Sequence, residues 1–394
     1  MAKTPVGAGT APCCQTVNSG QGYTNNRVRS VRRINFFAVR WLPLQGPEPC
    51  RSGGGCCYDP PNRQQRIETL PICEADPWRV QYFDNMPCPD DVRIPTEDGD
   101  AYVWYPQYKW VYNKLYIAET QDIECGPHGI DPRSFPVFSK PIYNMRGMGA
   151  GSRVFRTLKE YKHGQRPGHM WMALLDGEHV STDVAILEGK PVWWRHATGV
   201  PLEGGMFDHW VIWAESRPEL EKFCGEWIEA NLSGYTGMAN LETIGGRIIE
   251  SHLRFADQWP DLYGKGWVQA LVELYAKKRW TFPDDDRQTG YSVVLFGAHA
   301  VKYHHPPADL VRNLLETPGV TSIQVTFHED RPATAHSMPP GGFRLAIVNG
   351  FDLEAQRRAR EQLALSYWST QQLLPRRGRK PKPAPGEVAS PAAT

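Results

Sequence analysis

The chain has 394 residues, 41% of them hydrophobic, with 44 basic and 43 acidic side chains and a formal net charge of +1. This length suits two or three domains, or one large enzyme domain with appendages, and the apolar content suffices for a substantial core. Near-neutral charge argues against a global field for nucleic acid or membrane, and no apolar run approaches a membrane span.

Read in chain order, residues 1–30 are rich in Gly, Thr, Asn and Ser without periodicity and are expected to be disordered. The opening MAKTPVGAGTAPCCQ lacks the apolar segment of a signal peptide, so a cytoplasmic protein is expected. Residues 31–41 read as a first strand and residues 46–65 as a Pro/Gly/Cys loop. Seven of the nine cysteines lie at or before Cys88, without a C-x-x-C pair or a nearby histidine, which favours free thiols over a zinc site. Short strands are expected around Arg79–Phe83 and Ala101–Trp104, and a helix over 109–122 from the spacing of Trp110, Leu115 and Ile117. A strand over Pro136–Tyr143 leads into the glycine-rich loop Asn144–Ser152, and strands follow at 169–175, 178–187, 190–196 and 209–214. Helix 217–230, with Ser216 as its cap and Pro218 in its first turn, carries the stripe Leu220, Phe223, Trp227 and Ile228. Beyond helix 265–279, residues 291–350 read as strand, helix and two strands; a last helix follows, then a basic, Pro-rich tail from Pro375.

The most informative stretch is NLETIGGRIIESHLR, residues 240–254. Alternation on both sides of Gly245-Gly246 reads as a β-hairpin. Glu250, His252 and Arg254 fall on one strand face. A strict two-residue loop would set Glu242 opposite Ile249 and throw the two carboxylates to opposite faces. An odd loop, most simply Gly245-Gly246-Arg247 with a bulge, pairs Glu242 with Glu250. That register is the expected one, since two carboxylates and an arginine on one face can hold a divalent cation and a polyphosphate.

Lys114 in VYNKLYIAETQ, Lys140 in FPVFSKP, the loop GMGAGS, the stretch MWMALLDGEHVSTDV and the two-glutamate hairpin follow one another at set intervals. In that order the chain resembles the ATP-grasp superfamily of carboxylate ligases, from about Asp91 to about Leu363. The resemblance implies an α+β fold with antiparallel sheets sandwiching a nucleotide site. It further implies that Lys114 and Lys140 reach the nucleotide phosphates and that Gly147, Gly149, Gly151 and Ser152 close over them. Trp171, Met172 and Leu174 then lie on the hinge strand beside the adenine, and Glu178 or His179 near the ribose. Glu242 and Glu250 become metal ligands with His252 in third place, and Arg254 closes the motif. Arg195 is a candidate for the γ-phosphate, or a stacking partner of tryptophan.

Two departures stand out. The family's usual third ligand is an Asn where this chain has His252, and imidazole is a poor ligand for magnesium. The expected N-terminal βαβ domain is replaced by a Cys/Pro-rich region. The implied organisation is therefore residues 1–30, a divergent region 31–108, a nucleotide-binding body 109–290, an α+β subdomain 291–374 and the tail 375–394. The implied activity is ATP- and Mg²⁺-dependent activation of a small-molecule or peptide carboxylate as an acyl-phosphate, for attack by an amine or other nucleophile. A catalytically degenerate scaffold that binds nucleotide or a partner is the alternative; membrane partners are not expected, and only the tail and exposed tryptophans speak for nucleic acid.

Overall fold

The period-two pattern between residues 125 and 350 becomes two sheets, antiparallel at every pairing. The computed structural model describes residues 76–84, 86–145 and 147–367, all within one compact unit, Pro60–Thr394. The expected disordered N-terminus, the strand 31–41, the loop 46–65, the cysteines up to Cys73 and the tail 375–394 lie outside the described residues.

The smaller sheet contains β1 (Cys125–Pro127), β2 (Val137–Pro141), β3 (Arg153–Phe155) and β4 (His169–Ala173) in the order β1-β4-β2-β3. The larger contains β5 (His179–Leu187), β6 (Lys190–Pro201), β7 (Phe207–Ile212), β8 (Gly237–Ile244), β9 (Arg247–His252), β10 (Gly290–Gly297), β11 (Val320–Val325) and β12 (Phe343–Gly350), ordered β11-β12-β10-β7-β6-β5-β8-β9. Strand β10 pairs with β7, so the C-terminal strands extend the central sheet. The helices are α1 (Pro77–Val80), α2 (Asp98–Trp104), α3 (Lys114–Glu119), α4 (Leu158–Gly164), α5 (Pro218–Asn231), α6 (Trp267–Lys277), α7 (Ala308–Leu315) and α8 (Leu353–Ser366).

Strand β5 is buried at every position from Val180 to Ile186, because the large sheet is covered on both faces. On one face Val184, Ile186, Ala239, Leu241 and Ile248 pack against Trp227 and Ile228 of α5. On the other, Ala185, Trp193, Trp210 and Met238 pack against Phe255, Trp259 and Trp267. Burying a side chain of this size contributes about 1.5–3 kcal/mol. Of the tryptophans in polar stretches of the sequence, Trp171 and Trp193 are core residues, which removes them as a nucleic-acid surface, while Trp104 and Trp194 are half-buried.

Three local expectations are corrected. Arg79–Phe83 and Ala101–Trp104 are not strands: α1 starts at Pro77, and α2 carries Asp98 and Asp100 in its first turn, both helix-starting features that outweigh the aromatic and β-branched content. The helix expected over 109–122 is a 3-10 turn, Lys109–Tyr112, and then α3, separated by Asn113. Ser216 does not cap α5; Arg217 holds that place without a side-chain cap, while Pro218 occupies the first turn as expected.

Candidate active site

A cavity of about 650 Å³ lies between the two sheets, lined by Phe138 and Lys140 of the smaller and by His179, Glu242, Glu250 and His252 of the larger. What brings these residues together is the hairpin register. Glu242 stands opposite Glu250 and Asn240 opposite His252, so all four share a face. The odd register is as expected, but the loop is not. The turn is the two-residue Gly245-Gly246, with Ile244 opposite Arg247, and the extra residue is a bulge at Ile249. Gly245 and Gly246 have φ of +56° and +77°, the left-handed pair that a tight hairpin turn needs.

Lys140 lies on β2, inside the small sheet, and is 2% exposed. Its Nζ crosses the cleft to donate to the Ile249 carbonyl at 2.7 Å. Burial pushes its pKa down to about 8; the nearby Lys114 charge adds to this, against the pull of Glu250 and Glu242. Lys114 starts α3 because the Asn113 side chain accepts from the Leu115 and Tyr116 amides at 3.1 and 3.2 Å. Its buried Nζ stands 2.5 Å from Glu250 Oε1.

The glycine-rich loop contributes Gly147, Gly149 and Ser152 to the lining. Its glycines Gly147, Gly149 and Gly151 have φ of +62°, +61° and +80°, a left-handed conformation that glycine adopts freely, and Met145 and Met148 of the same loop also line the cleft. Met172 and Leu174 also line the cavity. Trp171 does not: alternation along β4 turns it to the opposite face, where its indole donates to the Ile130 carbonyl at 2.7 Å. Its backbone is already paired with β1 and β2.

His179 faces the cleft, its Nε2 3.4 Å from Glu242 Oε2. Burial alone would lower its pKa, but the hydrogen bond and charge of Glu242, with Glu250, raise it. Burial likewise opposes ionisation of Glu242, yet His179, His252 and Lys114 hold its carboxyl well below the usual range. Glu178 points outward to an exposed ion pair with Arg217 and is not part of the cavity wall. Arg195 is also displaced from the expected place. It shares the sheet face of Asp183 and Asn240 but is covered there, paired with Asp284 at 2.9 Å and donating to the Tyr263 carbonyl at 3.2 Å.

Sequence reasoning missed Asp98. Its carboxylate accepts from His252 Nδ1 at 3.0 Å through both oxygens and meets Arg254 Nε at 3.2 Å. Burial opposes its ionisation, but Arg254 and His252 hold its pKa well below the ordinary value. Nothing in the sequence links a residue in α2 to a hairpin some 150 positions later. Asn240 was more accessible, since it stands two places before Glu242 on the same face; its amide donates to Ser181 Oγ at 2.9 Å and Asp183 Oδ1 at 2.7 Å. The far end of the cavity, lined by Trp78, His328, His336 and Arg344, was also unforeseen.

Among the described residues, no group of three or more His, Cys, Asp and Glu side chains stands ready-made as a metal centre. The nearest set is His252 Nε2 with Glu250 Oε2 at 3.7 Å and Glu242 Oε1 at 3.9 Å. Two ligands of one ion with bonds of about 2.1 Å stand roughly 3.0–3.4 Å apart. A carboxylate swing of less than about an ångström closes that gap. The donor chemistry fits a divalent cation, and the buried His252 Nε2 has no other partner.

No protein-family model and no curated protein matches the chain. Among solved structures it is similar to L-amino acid ligase from Bacillus licheniformis (12% identity, TM-score 0.47, 66% of this chain and 72% of that one). It is similar, too, to phosphoribosylamine–glycine ligase from Thermotoga maritima (17% identity, TM-score 0.46, 66% and 77%). A third is the biotin carboxylase domain of 2-oxoglutarate carboxylase from Hydrogenobacter thermophilus, solved with MgADP and bicarbonate (13% identity, TM-score 0.47, 66% and 66%). These likenesses are of fold and at this level assign no activity. With the lysine strand and glycine loop on one antiparallel sheet and the two-carboxylate hairpin on the other, the cleft has the α+β arrangement that the ATP-grasp resemblance implies.

Proposed function

We propose that the chain is a divergent ATP-grasp ligase that binds ATP with a divalent cation between its sheets and activates a carboxylate. The observation that carries this reading is the hairpin register, which turns Glu242 and Glu250 into one cavity opposite Lys140. Lys140 and Lys114 supply cations for the phosphates, the glycine loop supplies backbone N–H groups, and Met172 and Leu174 supply an apolar wall for the base. Glu242, Glu250 and His252 would hold the cation, which when bound offsets phosphate charge.

In this reading a substrate carboxylate oxygen bonds to the γ-phosphorus as the bond to ADP breaks. An amine or similar nucleophile then attacks the acyl carbon, loses its proton, and phosphate leaves. The protein contributes placement and charge more than covalent chemistry. Arg254, which lines the cavity while paired with Asp98, would steady a developing oxyanion.

Phosphate release, measured with ATP over a panel of small carboxylic acids and amines, tests the ligase reading. A thermal-shift titration with ATP and Mg²⁺ or Mn²⁺ tests binding separately, since saturation at 100 times Kd adds about 2.7 kcal/mol of stability. Binding without turnover of any pair would favour the degenerate scaffold. That second reading has one observation in its favour, the Lys114–Glu250 ion pair, which neutralises a proposed phosphate ligand and a proposed metal ligand against each other.

A further inference from the structure

His252 is 4% exposed, its Nδ1 is fixed, and its Nε2 is buried without a hydrogen-bond partner. Asp98 accepts from Nδ1 through both carboxylate oxygens, which keeps a proton on that nitrogen and leaves Nε2, directed at Glu242 and Glu250, as the nitrogen that can coordinate a metal. Asp98 is itself anchored by Arg254. This is the build of a metal-ligating histidine with its supporting carboxylate, in which the outer partner orients the ring and raises its basicity. A buried imidazole nitrogen with no hydrogen bond is costly to keep. A ligand that accepts its lone pair removes that cost. His179 adds a second imidazole 3.4 Å from the other oxygen of Glu242.

We propose that the cation site of this cleft is built for a first-row transition-metal dication rather than for Mg²⁺, with His252 as the selecting ligand and Asp98 as its positioning residue. The inference rests on the reading of the cleft as a nucleotide and metal site. Carboxylates alone suit magnesium and manganese alike, but imidazole nitrogen strengthens binding in the order Mn²⁺ to Cu²⁺ and adds little for magnesium, which favours oxygen and holds its waters. The amide that would suit magnesium stands across the hairpin as Asn240, opposite His252, its nitrogen tied to Ser181 and Asp183.

The probe is Mn²⁺, added to the full chain first alone and then with ADP, and read by electron paramagnetic resonance. In the unmodified protein, bound Mn²⁺ is expected to show ¹⁴N coupling from imidazole. His252→Asn is expected to lose that coupling and to shift the Mn²⁺:Mg²⁺ affinity ratio at least tenfold toward Mg²⁺. Comparing variants cancels the chelation of each metal by ADP. Asp98→Asn is expected to weaken Mn²⁺ binding by 10- to 100-fold, as for other outer-shell partners. Bound Mn²⁺ without ¹⁴N coupling in the unmodified protein overturns the proposal without any variant, as does failure to bind Mn²⁺ at all. An unchanged metal ratio in His252→Asn overturns it as well. Mn²⁺ bound with ¹⁴N coupling but no affinity for ADP supports the metal assignment and refutes the nucleotide reading.

Discussion

Replacing Lys140 by Met separates what the lysine does for the ligand from what it costs the fold. Its pKa is lowered from 10.5 to about 8 by burial. At about 1.4 kcal/mol per pH unit, keeping it charged at pH 7 costs the ligand-free protein about 3 kcal/mol. Methionine removes that cost with little change of shape, but leaves the Ile249 carbonyl without its donor, a loss of about 1–3 kcal/mol. Unfolding in urea at pH 7 should therefore change by less than about 2 kcal/mol. ADP affinity, measured by calorimetry, should fall roughly tenfold to a hundredfold for loss of a charge-assisted bond of about 1.5–3 kcal/mol. The pH dependence fixes the sign. With the folded pKa below the unfolded one, the unfolded chain binds more protons between these values, so stability rises with pH across that window. From pH 7 to 9.5 this gain is about 2 kcal/mol, and it should appear in the difference between parent and variant, where buried tyrosines and cysteines cancel. A flat difference curve, or a Met variant that binds ADP as tightly as the parent, would refute the assignment.

Asp98→Asn should destabilise the fold by about 3 kcal/mol, because it takes from half-buried Arg254 its paired carboxylate. In the parent, the stabilisation from Asp98 is present above the unfolded pKa near 4 and declines as pH falls below it; acid denaturation curves that coincide for the two proteins would contradict this. Gly246→Ala meets open space and should cost only the left-handed strain of about 1–2 kcal/mol, whereas Gly245→Ala drives a Cβ to 2.2 Å from the Asp176 carbonyl and should cost clearly more, as chemical denaturation would show. Arg195→Met should lower stability by about 3 kcal/mol, as Asp284 keeps Trp193 and Arg287, and leave ADP binding unchanged; a tenfold loss of affinity with the fold intact would restore Arg195 to the cleft.

Strand-rich segments with clean alternation were legible because the pleat itself imposes the pattern. Thus β2, β5 and the β8–β9 hairpin fall where residues 136–143, 178–187 and 240–254 place them. The same alternation set Glu250 and His252 on one face, and the expectation of an odd register brought Glu242 to it. What failed was short-range propensity. Ala-Tyr-Val-Trp at 101–104 has strand-forming side chains, but two aspartates at the start of α2 and packing of Ala101 in the core decide for helix. Arg195 failed for another reason. Its strand was placed correctly, but no sequence pattern says whether a charged residue on a doubly covered sheet faces the cleft or a buried Asp284. Asp98 and Arg344 reach the cavity through tertiary packing alone, and a single sequence carries no signal for that.

The bulge at Ile249 ties these points together. Without it, a two-residue turn would put Glu250 on the far face of β9 and the cleft would hold one carboxylate instead of two. A bulge also leaves its extra residue outside the ladder, with a backbone carbonyl free to bond elsewhere. Here that carbonyl accepts from Lys140, so the irregularity that phases the acids also fixes the cation from the opposite sheet. Lys114 meets Glu250 one residue further on. Two lysines thus balance two glutamates across a gap spanned by single side chains. Under the proposed function, an incoming polyphosphate with its metal ion would offer each group a better partner, lysine to phosphate and glutamate to metal. In the proposed reading, binding would exchange existing partners and create no unpaired charge, which would let a cleft lined by buried charges admit a ligand this highly charged.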